Sequence, residues 1–117
     1  MKIPWLVTLV YIILISLLSH QPSDGLPDNS LEFENIDKLF HFIEFSILGF
    51  LVYGSLSSQI DDYNQIFSLS IKVGILISFL DEYHQSFVQG RDSSLFDLIF
   101  DILGVLFGNF FHYKLFR

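Results

Sequence analysis

Four apolar segments, separated by polar stretches, run along the chain. They cover about residues 3–20, 36–55, 65–84 and 94–114. The hydrocarbon core of a bilayer is about 30 Å thick and takes about 20 residues of helix, so the last three segments can cross it only with their polar ends at the interface. The pattern predicts an all-α polytopic membrane protein, a bundle of four antiparallel transmembrane helices forming a single domain over residues 1–117.

The first apolar segment is compatible with two kinds of element. Residues 3–18 carry no charge and follow Met1 and Lys2, which fits either a transmembrane helix or the core of a signal peptide. The run is slightly longer than a usual signal core, and residues 19–22 lack a small-x-small cleavage pattern. We therefore expect it to be retained as a helix.

Three polar stretches connect the segments. Residues 20–34 contain two prolines, a glycine and four acids, which is the composition of an exposed loop, so helix two is expected to begin near Ile36. Residues 57–64 form a short polar turn whose two aspartates are expected to be solvated. Residues 85–93 form the third connector, after which Ser94 and Asp97 resemble a helix-capping pair.

The lysine and arginine residues near the helix ends predict the orientation in the membrane. With four spans, both termini lie on one side. Three basic residues fall near the termini and two at the opposite face: Lys2, Lys114 and Arg117 against Lys38 and Arg91. Lys72 could extend its ammonium group toward the terminal side and add to the difference. We expect cytoplasmic termini.

Composition narrows the class of protein. Hydrophobic residues make up 51% of the 117 residues, more than a soluble domain of this size needs. A net charge of −7 with only 6 Lys and Arg argues against a nucleic-acid-binding protein, which needs a basic face. Cysteine is absent, which excludes disulfides, a thiolate nucleophile and a cysteine-based metal site. The expected partner is the lipid bilayer; composition predicts neither a cofactor nor an oligomeric state.

Polar residues are concentrated in a stretch whose apolar flanking segments are predicted to lie in the membrane. Eight of them lie between the apolar runs 66–80 and 102–113: Asp81, Glu82, His84, Gln85, Arg91, Asp92, Asp97 and Asp101. A charged side chain at the centre of a membrane helix costs roughly 2.5 to 3.5 kcal/mol on insertion scales, and such residues commonly mark a functional site. In the predicted topology, the start of helix two and the end of helix three meet the start of helix four at the outer face.

Helical spacing selects the candidate residues within this region. Asp37, His41 and Glu44 recur at i, i+4 and i+7, which is one stripe of a helix. Carboxylates and imidazole can exchange protons, and the candidates for that chemistry are Asp37, His41, Glu44, Asp81, Glu82 and Asp101. Cationic, amide and carboxylate groups can hold a head group through hydrogen bonds, and the ligand-binding candidates are Lys38, Gln85, Arg91 and Asp97.

Several of these residues also have a purely structural interpretation. Asp97 could be only the capping partner of Ser94, and Gly104 and Gly108 are expected to serve helix packing. Lys72 and His112 are interpreted as interfacial anchors, and His84 as peripheral. The whole cluster could be an ion-pair network that holds the helices together.

Two placements follow from the cluster. Asp81 and Glu82 oppose the dipole at the end of helix three, so we expect Arg91 within salt-bridge reach of them or of Asp97. Glu44 cannot face lipid without cost, so we expect it to face His41 and the bundle interior beside a cavity.

At these residues the sequence resembles the VanZ-like family of small membrane proteins, named after a teicoplanin-resistance accessory protein. The matching pieces lie within residues 37–108: Asp37-Lys38, His41, Glu44-Phe45, Asp81-Glu82, Gln85, Gly90-Arg91, Asp97, Asp101, Gly104 and Gly108. Gln89 stands where the family often has proline. The resemblance implies a four-helix protein of the bacterial cell membrane, without a defined biochemical activity, and a link to glycopeptide resistance through the family name alone.

Three functions are compatible with these features. The first is binding of, or action on, an amphiphilic cell-envelope ligand, such as a lipid or lipid-linked precursor, at the outer leaflet. The second is a structural or partner-binding role. The third function, an ion or proton carrier, is disfavoured because no chain of ionisable residues crosses the bilayer. Asp37, His41, Glu44, Glu82 and Asp101 offer ligand types for a divalent metal, but no metal-spacing motif such as H-E-x-x-H is present, and no metal site is assigned.

Overall fold

The computed structural model describes the backbone of residues 2–19, 30–85, 87 and 95–116, and their side chains except at 18–19, 30–37, 85 and 95–96. Four helices occupy these residues, and the described part contains no strand: α1 (Trp5–Ser19), α2 (Ser30–Leu56), α3 (Tyr63–Gln85) and α4 (Leu95–Phe116). The all-α prediction is confirmed. Three apolar stretches are long enough to cross a membrane, namely Lys38–Leu56, Tyr63–His84 and Asp97–Phe116.

The first helix is shorter than the other three, with an apolar part that spans Trp5–Leu17. It packs on α2 through buried polar contacts. The hydroxyl groups of Thr8 and Ser55 are hydrogen-bonded at 2.6 Å, and the Tyr11 hydroxyl donates to the Glu44 carbonyl at 2.8 Å. Its opposite face exposes large apolar side chains: Leu6, Leu9, Val10, Ile13 and Leu17. Such a face suits contact with lipid, and the fourth span remains a prediction.

Helix α2 begins at Ser30, six residues before the predicted start near Ile36. The prediction was wrong because residues 30–34 were grouped with the proline-containing connector before them. No proline or glycine occurs between Pro27 and Gly49, so no helix-breaking residue prevents a start at Ser30. The first two turns of α2 thus precede the stretch that could span a membrane.

Helices α2 and α4 form the most extensive interface between any two elements. Phe45, Leu48 and Val52 of α2 are buried in the core together with Val105 of α4. The backbones approach closely at a glycine, because a methyl group added to Gly104 would lie 2.6 Å from the Phe42 carbonyl oxygen. The packing role expected of Gly104 is supported. The close approach of the two backbones there also fixes the position of α4 along the length of α2.

All four helices expose large apolar side chains outward. On α2 these include Leu39, Phe40, Ile43 and Ile47, and α3 and α4 add others such as Leu76, Phe79, Phe107 and Phe110. A soluble monomer rarely exposes such extended apolar surface. The bundle therefore has an inner packed seam and an outer apolar coat, which is the arrangement expected of a protein surrounded by lipid.

The turn between α2 and α3 is polar, as predicted. Asp61 and Asp62 are both exposed. The Asp62 carboxylate accepts a hydrogen bond from the backbone N–H of Asn64 at 3.0 Å, which makes it the capping residue of α3. This turn marks the end of the bundle opposite the one described next.

Candidate functional site

Four ionisable side chains from three helices converge at one end of the bundle. They are His41 of α2, Asp81 and Glu82 of α3, and Asp101 of α4, and one nitrogen or oxygen atom from each lies within 4.8 Å of the others. All four are buried, with exposed fractions of 4%, 5%, 7% and 0%. The sequence predicted that these helix ends would meet, and the structure brings the four candidates together.

Helix geometry explains why His41 and Asp101 point inward. His41 lies on the same stripe as Phe45 and Leu48, four and seven residues later, and both are fully buried against α4. Asp101 lies on the same stripe as Gly104 and Gly108, which face α2 closely. The core positions of each helix thus determine where these two polar side chains are directed.

A continuous set of hydrogen bonds joins the three helices at Asp101. Its Oδ1 atom lies 2.8 Å from Nδ1 of His41, and its Oδ2 atom accepts a hydrogen bond of 2.7 Å from the Ser78 hydroxyl. Both oxygens of this fully buried carboxylate are therefore held in place, one by α2 and one by α3. This contact fixes the orientation of Asp101 and of the His41 ring.

Ser78 is a residue that the sequence analysis missed. It is fully buried and lies three residues before Asp81, on the same face of α3. That spacing was a signal that could have identified it, but a single serine in an apolar helix is also common without any role.

The cluster contains more acidic than basic groups. Asp81, Glu82 and Asp101 contribute three carboxyl groups against the single imidazole of His41. Burying a carboxylate in an apolar environment is costly unless its charge is compensated, and the C-terminal end of α3 further disfavours negative charge. The site is thus suited to bind protons or cations, and it is rich in hydrogen-bond acceptors.

Three other candidates lie outside this group of four. Asp97 is buried at 4% exposure in the first turn of α4, and Lys38 is half-buried at the start of the apolar part of α2. Glu44 is also half-buried, and its backbone carbonyl contacts Tyr11 of α1. The grouping of Glu44 with His41 stays a prediction. Its proposed facing toward a cavity stays a prediction.

Several candidates fall outside the described side chains. Asp37 and Gln85 lie on described helical backbone only, and Arg91 and Ser94 lie outside the described residues altogether. The salt bridge expected of Arg91 and the capping role of Ser94 therefore stay predictions. His84 is exposed, in agreement with its peripheral assignment.

The interpretation of His112 as an interfacial anchor was wrong. The residue is 2% exposed and packs between the rings of Phe50 and Tyr53, with centroid distances of 4.8 Å to each. Spacing explains this, because His112 lies seven residues after Val105 and so falls on the buried stripe of α4. Nearby, Ser70 of α3 donates a 2.7 Å hydrogen bond to Asn109 of α4.

Comparison with known families covers all of these elements. The model of the VanZ/LLP1 family matches residues 4–117, which include the four helices and every residue of the cluster. The chain belongs to the VanZ/LLP1 family. The match extends the resemblance noted over residues 37–108 to α1 as well. No curated protein and no solved structure matches the chain.

Proposed function

We propose that this VanZ/LLP1 protein is an integral membrane protein whose buried cluster binds the polar head group of an amphiphilic cell-envelope ligand at the outer leaflet. The observation that carries the proposal is the convergence of His41, Asp81, Glu82 and Asp101 from three helices that carry an apolar coat. Ionisable groups inside a membrane bundle are costly, so they are typical of sites that handle a polar ligand or protons.

The chemistry of the cluster favours a head group with hydrogen-bond donors. Its carboxyl groups offer acceptor oxygens to hydroxyl, amide or ammonium groups, and an imidazole next to a carboxylate can exchange protons near neutral pH. The pair formed by His41 and Asp101 is the arrangement in which a carboxylate orients a general base. Lys38, Gln85 and Arg91 are proposed to hold a phosphate or carboxylate of the same ligand.

Lipids that copurify with the protein test this proposal. Wild-type protein and Glu82→Gln would be purified in mild detergent, and the bound lipids identified by mass spectrometry. Wild type is expected to retain one class of lipid with donor groups in its head group, and Glu82→Gln to lose it. Asp61→Asn, at an exposed acid in the opposite turn, is the matched control and should keep the lipid. Identical lipid profiles for wild type and a folded Glu82→Gln would overturn the proposal.

A structural role is the second candidate, and one observation favours it. The hydrogen bonds of Asp101 with His41 and Ser78 join α2, α3 and α4 through fully buried atoms, as expected of a polar brace between helices. In that case Glu82→Gln and Asp101→Asn would lower the thermal midpoint without changing which lipids copurify. The two candidates are thus separated by measuring stability and bound lipid on the same samples.

A further inference from the structure

We propose that His41, Asp81, Glu82 and Asp101 together bind a single divalent cation of the Zn²⁺ or Mn²⁺ type. The inference concerns the cluster of the proposed function and rests on its role as a ligand site, but metal binding is measured independently of lipid.

The first support is the distance between the four groups. Zinc–nitrogen and zinc–oxygen bonds are about 2.0 to 2.2 Å, so two ligand atoms on opposite sides of one ion are at most about 4.4 Å apart. The four groups each offer an atom within 4.8 Å of the others. The most distant pair must approach by about 0.4 Å to be opposite ligands of a six-coordinate ion, and by about 1.4 Å to bind a tetrahedral ion, whose ligand atoms are about 3.4 Å apart. Rotation of the side chains can supply either movement.

The second support is the chemistry of the donor set. Three carboxyl groups and one imidazole form a mixed oxygen and nitrogen set, which suits zinc, manganese or ferrous iron better than magnesium or calcium, because the latter two prefer oxygen alone. No thiolate can take part, since the chain has no cysteine. The histidine separates this cluster from the all-acidic groups that commonly occur on protein surfaces.

The third support is burial combined with charge. The two acids of the turn between α2 and α3, Asp61 and Asp62, are exposed to solvent. The three acids of the cluster are at most 7% exposed and are held next to one another. A dication would offset two of the three negative charges in one step, which makes the close approach of Asp81, Glu82 and Asp101 favourable.

The fourth support is the way in which Asp101 is held. The Ser78 hydroxyl donates to Oδ2, while Oδ1 faces His41. Metal-binding carboxylates are typically oriented by an outer hydrogen bond of this kind, and its removal commonly weakens metal affinity 10- to 100-fold. Ser78 is thus a positioning residue in this proposal.

Metal content and metal titration test the proposal directly. Protein purified in detergent without chelators would be analysed by inductively coupled plasma mass spectrometry, and chelator-treated protein titrated with Zn²⁺ and with Mn²⁺. We expect about one ion per chain in wild type and in the control Asp61→Asn. Asp81→Asn and Glu82→Gln should lose most of the binding, and Ser78→Ala should bind roughly 10- to 100-fold more weakly.

A spectroscopic measurement keeps the test valid even where a variant fails to fold. Electron spin-echo spectroscopy of Mn²⁺-loaded wild-type protein should detect coupling to an imidazole nitrogen, which His41 supplies within the cluster. Absence of stoichiometric Zn²⁺ or Mn²⁺ binding by wild type, or binding without nitrogen coupling, would overturn the metal site.

Metal-free protein that still retains its lipid would overturn the metal site and keep the proposed function. Metal bound at the cluster, with lipids that do not depend on Glu82, would support the metal and reject the lipid role.

Discussion

Asp101 is the residue on which the cluster depends most. Its carboxylate is fully buried, and its two oxygens are shared between His41 of α2 and Ser78 of α3. A buried acceptor that loses its donor is penalised by the cost of desolvation that the hydrogen bond had offset. The neighbours of Asp101 therefore influence both the stability of the bundle and the direction in which the carboxylate of Asp101 points within the site.

Ser78→Ala is predicted to destabilise the protein by about 1 to 3 kcal/mol, because it leaves Oδ2 of Asp101 buried without its donor. Thermal and denaturant unfolding in detergent would measure the change. Ser68→Ala, at an exposed position of the same helix, is the matched control and should alter stability by less than about 0.5 kcal/mol. Equal midpoints for the two variants would contradict the hydrogen bond to Asp101.

At the same scale, helical angles explain which site residues the sequence could predict. The assignment of His41 and Asp101 to one cluster follows from topology, since their helix ends must meet. Glu44 was grouped with Asp37 and His41 at i, i+4 and i+7. At 100° per residue it lies about 60° away from His41, whereas Phe45 and Leu48 lie within about 40°. The core formed by Phe45 and Leu48 decides which direction is inward, and the backbone carbonyl of Glu44 accepts a hydrogen bond from Tyr11 of α1.

At the scale of the elements, glycines determine how closely α2 and α4 approach. A methyl group added to Gly108 would overlap the carbonyl group of Ser46, which belongs to the backbone of α2 and cannot move without displacing the helix. Gly54 differs, because a methyl group there would meet the end of the Ile3 side chain, which can rotate away. The sequence predicted the packing role of Gly108 from its spacing, but not which helix it faces.

Gly108→Ala is predicted to lower stability by about 1 to 3 kcal/mol, the usual cost of overpacking, despite the gain of about 1 kcal/mol in helix propensity. Gly54→Ala should cost less, or stabilise the protein slightly, since only a flexible side chain must move. Thermal unfolding of both variants in the same detergent measures the difference. A Gly108→Ala protein that is at least as stable as Gly54→Ala would show that α2 and α4 are not in backbone contact there.

Helix boundaries illustrate the limits of the sequence at this scale. Composition located the connector before α2 through its prolines. Residues 30–34 alternate polar and apolar side chains, a pattern compatible with either a loop or a helix start, and the continuation of the helix decides between them. His112 was misplaced for a related reason. A histidine near a helix end suits the interface, yet the buried stripe of α4 continues through it to the aromatic rings of Phe50 and Tyr53.

For the whole molecule, the positions of the chain ends bear on the number of spans. Lys2 and Phe116 line one cavity of about 590 Å³ at the end of the bundle opposite the cluster. The backbone N–H of Ile3 also donates to the carbonyl of Gly54 near the end of α2, at 3.1 Å. Lys2 and Phe116 therefore lie at the same end of the bundle, as expected if α1 crosses the membrane together with the other three helices.

Single cysteines introduced into this cysteine-free chain would test the topology of the whole molecule. With four spans and cytoplasmic termini, a cysteine at residue 28 should react with a membrane-impermeant maleimide in intact cells. Cysteines at residues 2, 61 and 116 should react only after permeabilisation, because Lys2 and Lys114 favour the cytoplasmic side.

Labelling of residue 61 in intact cells, with protection of residue 28, would show the reverse orientation and put the cluster at the inner leaflet. Labelling of residue 2 together with protection of residue 116 would show that α1 does not cross, because an odd number of spans places the two ends on opposite sides.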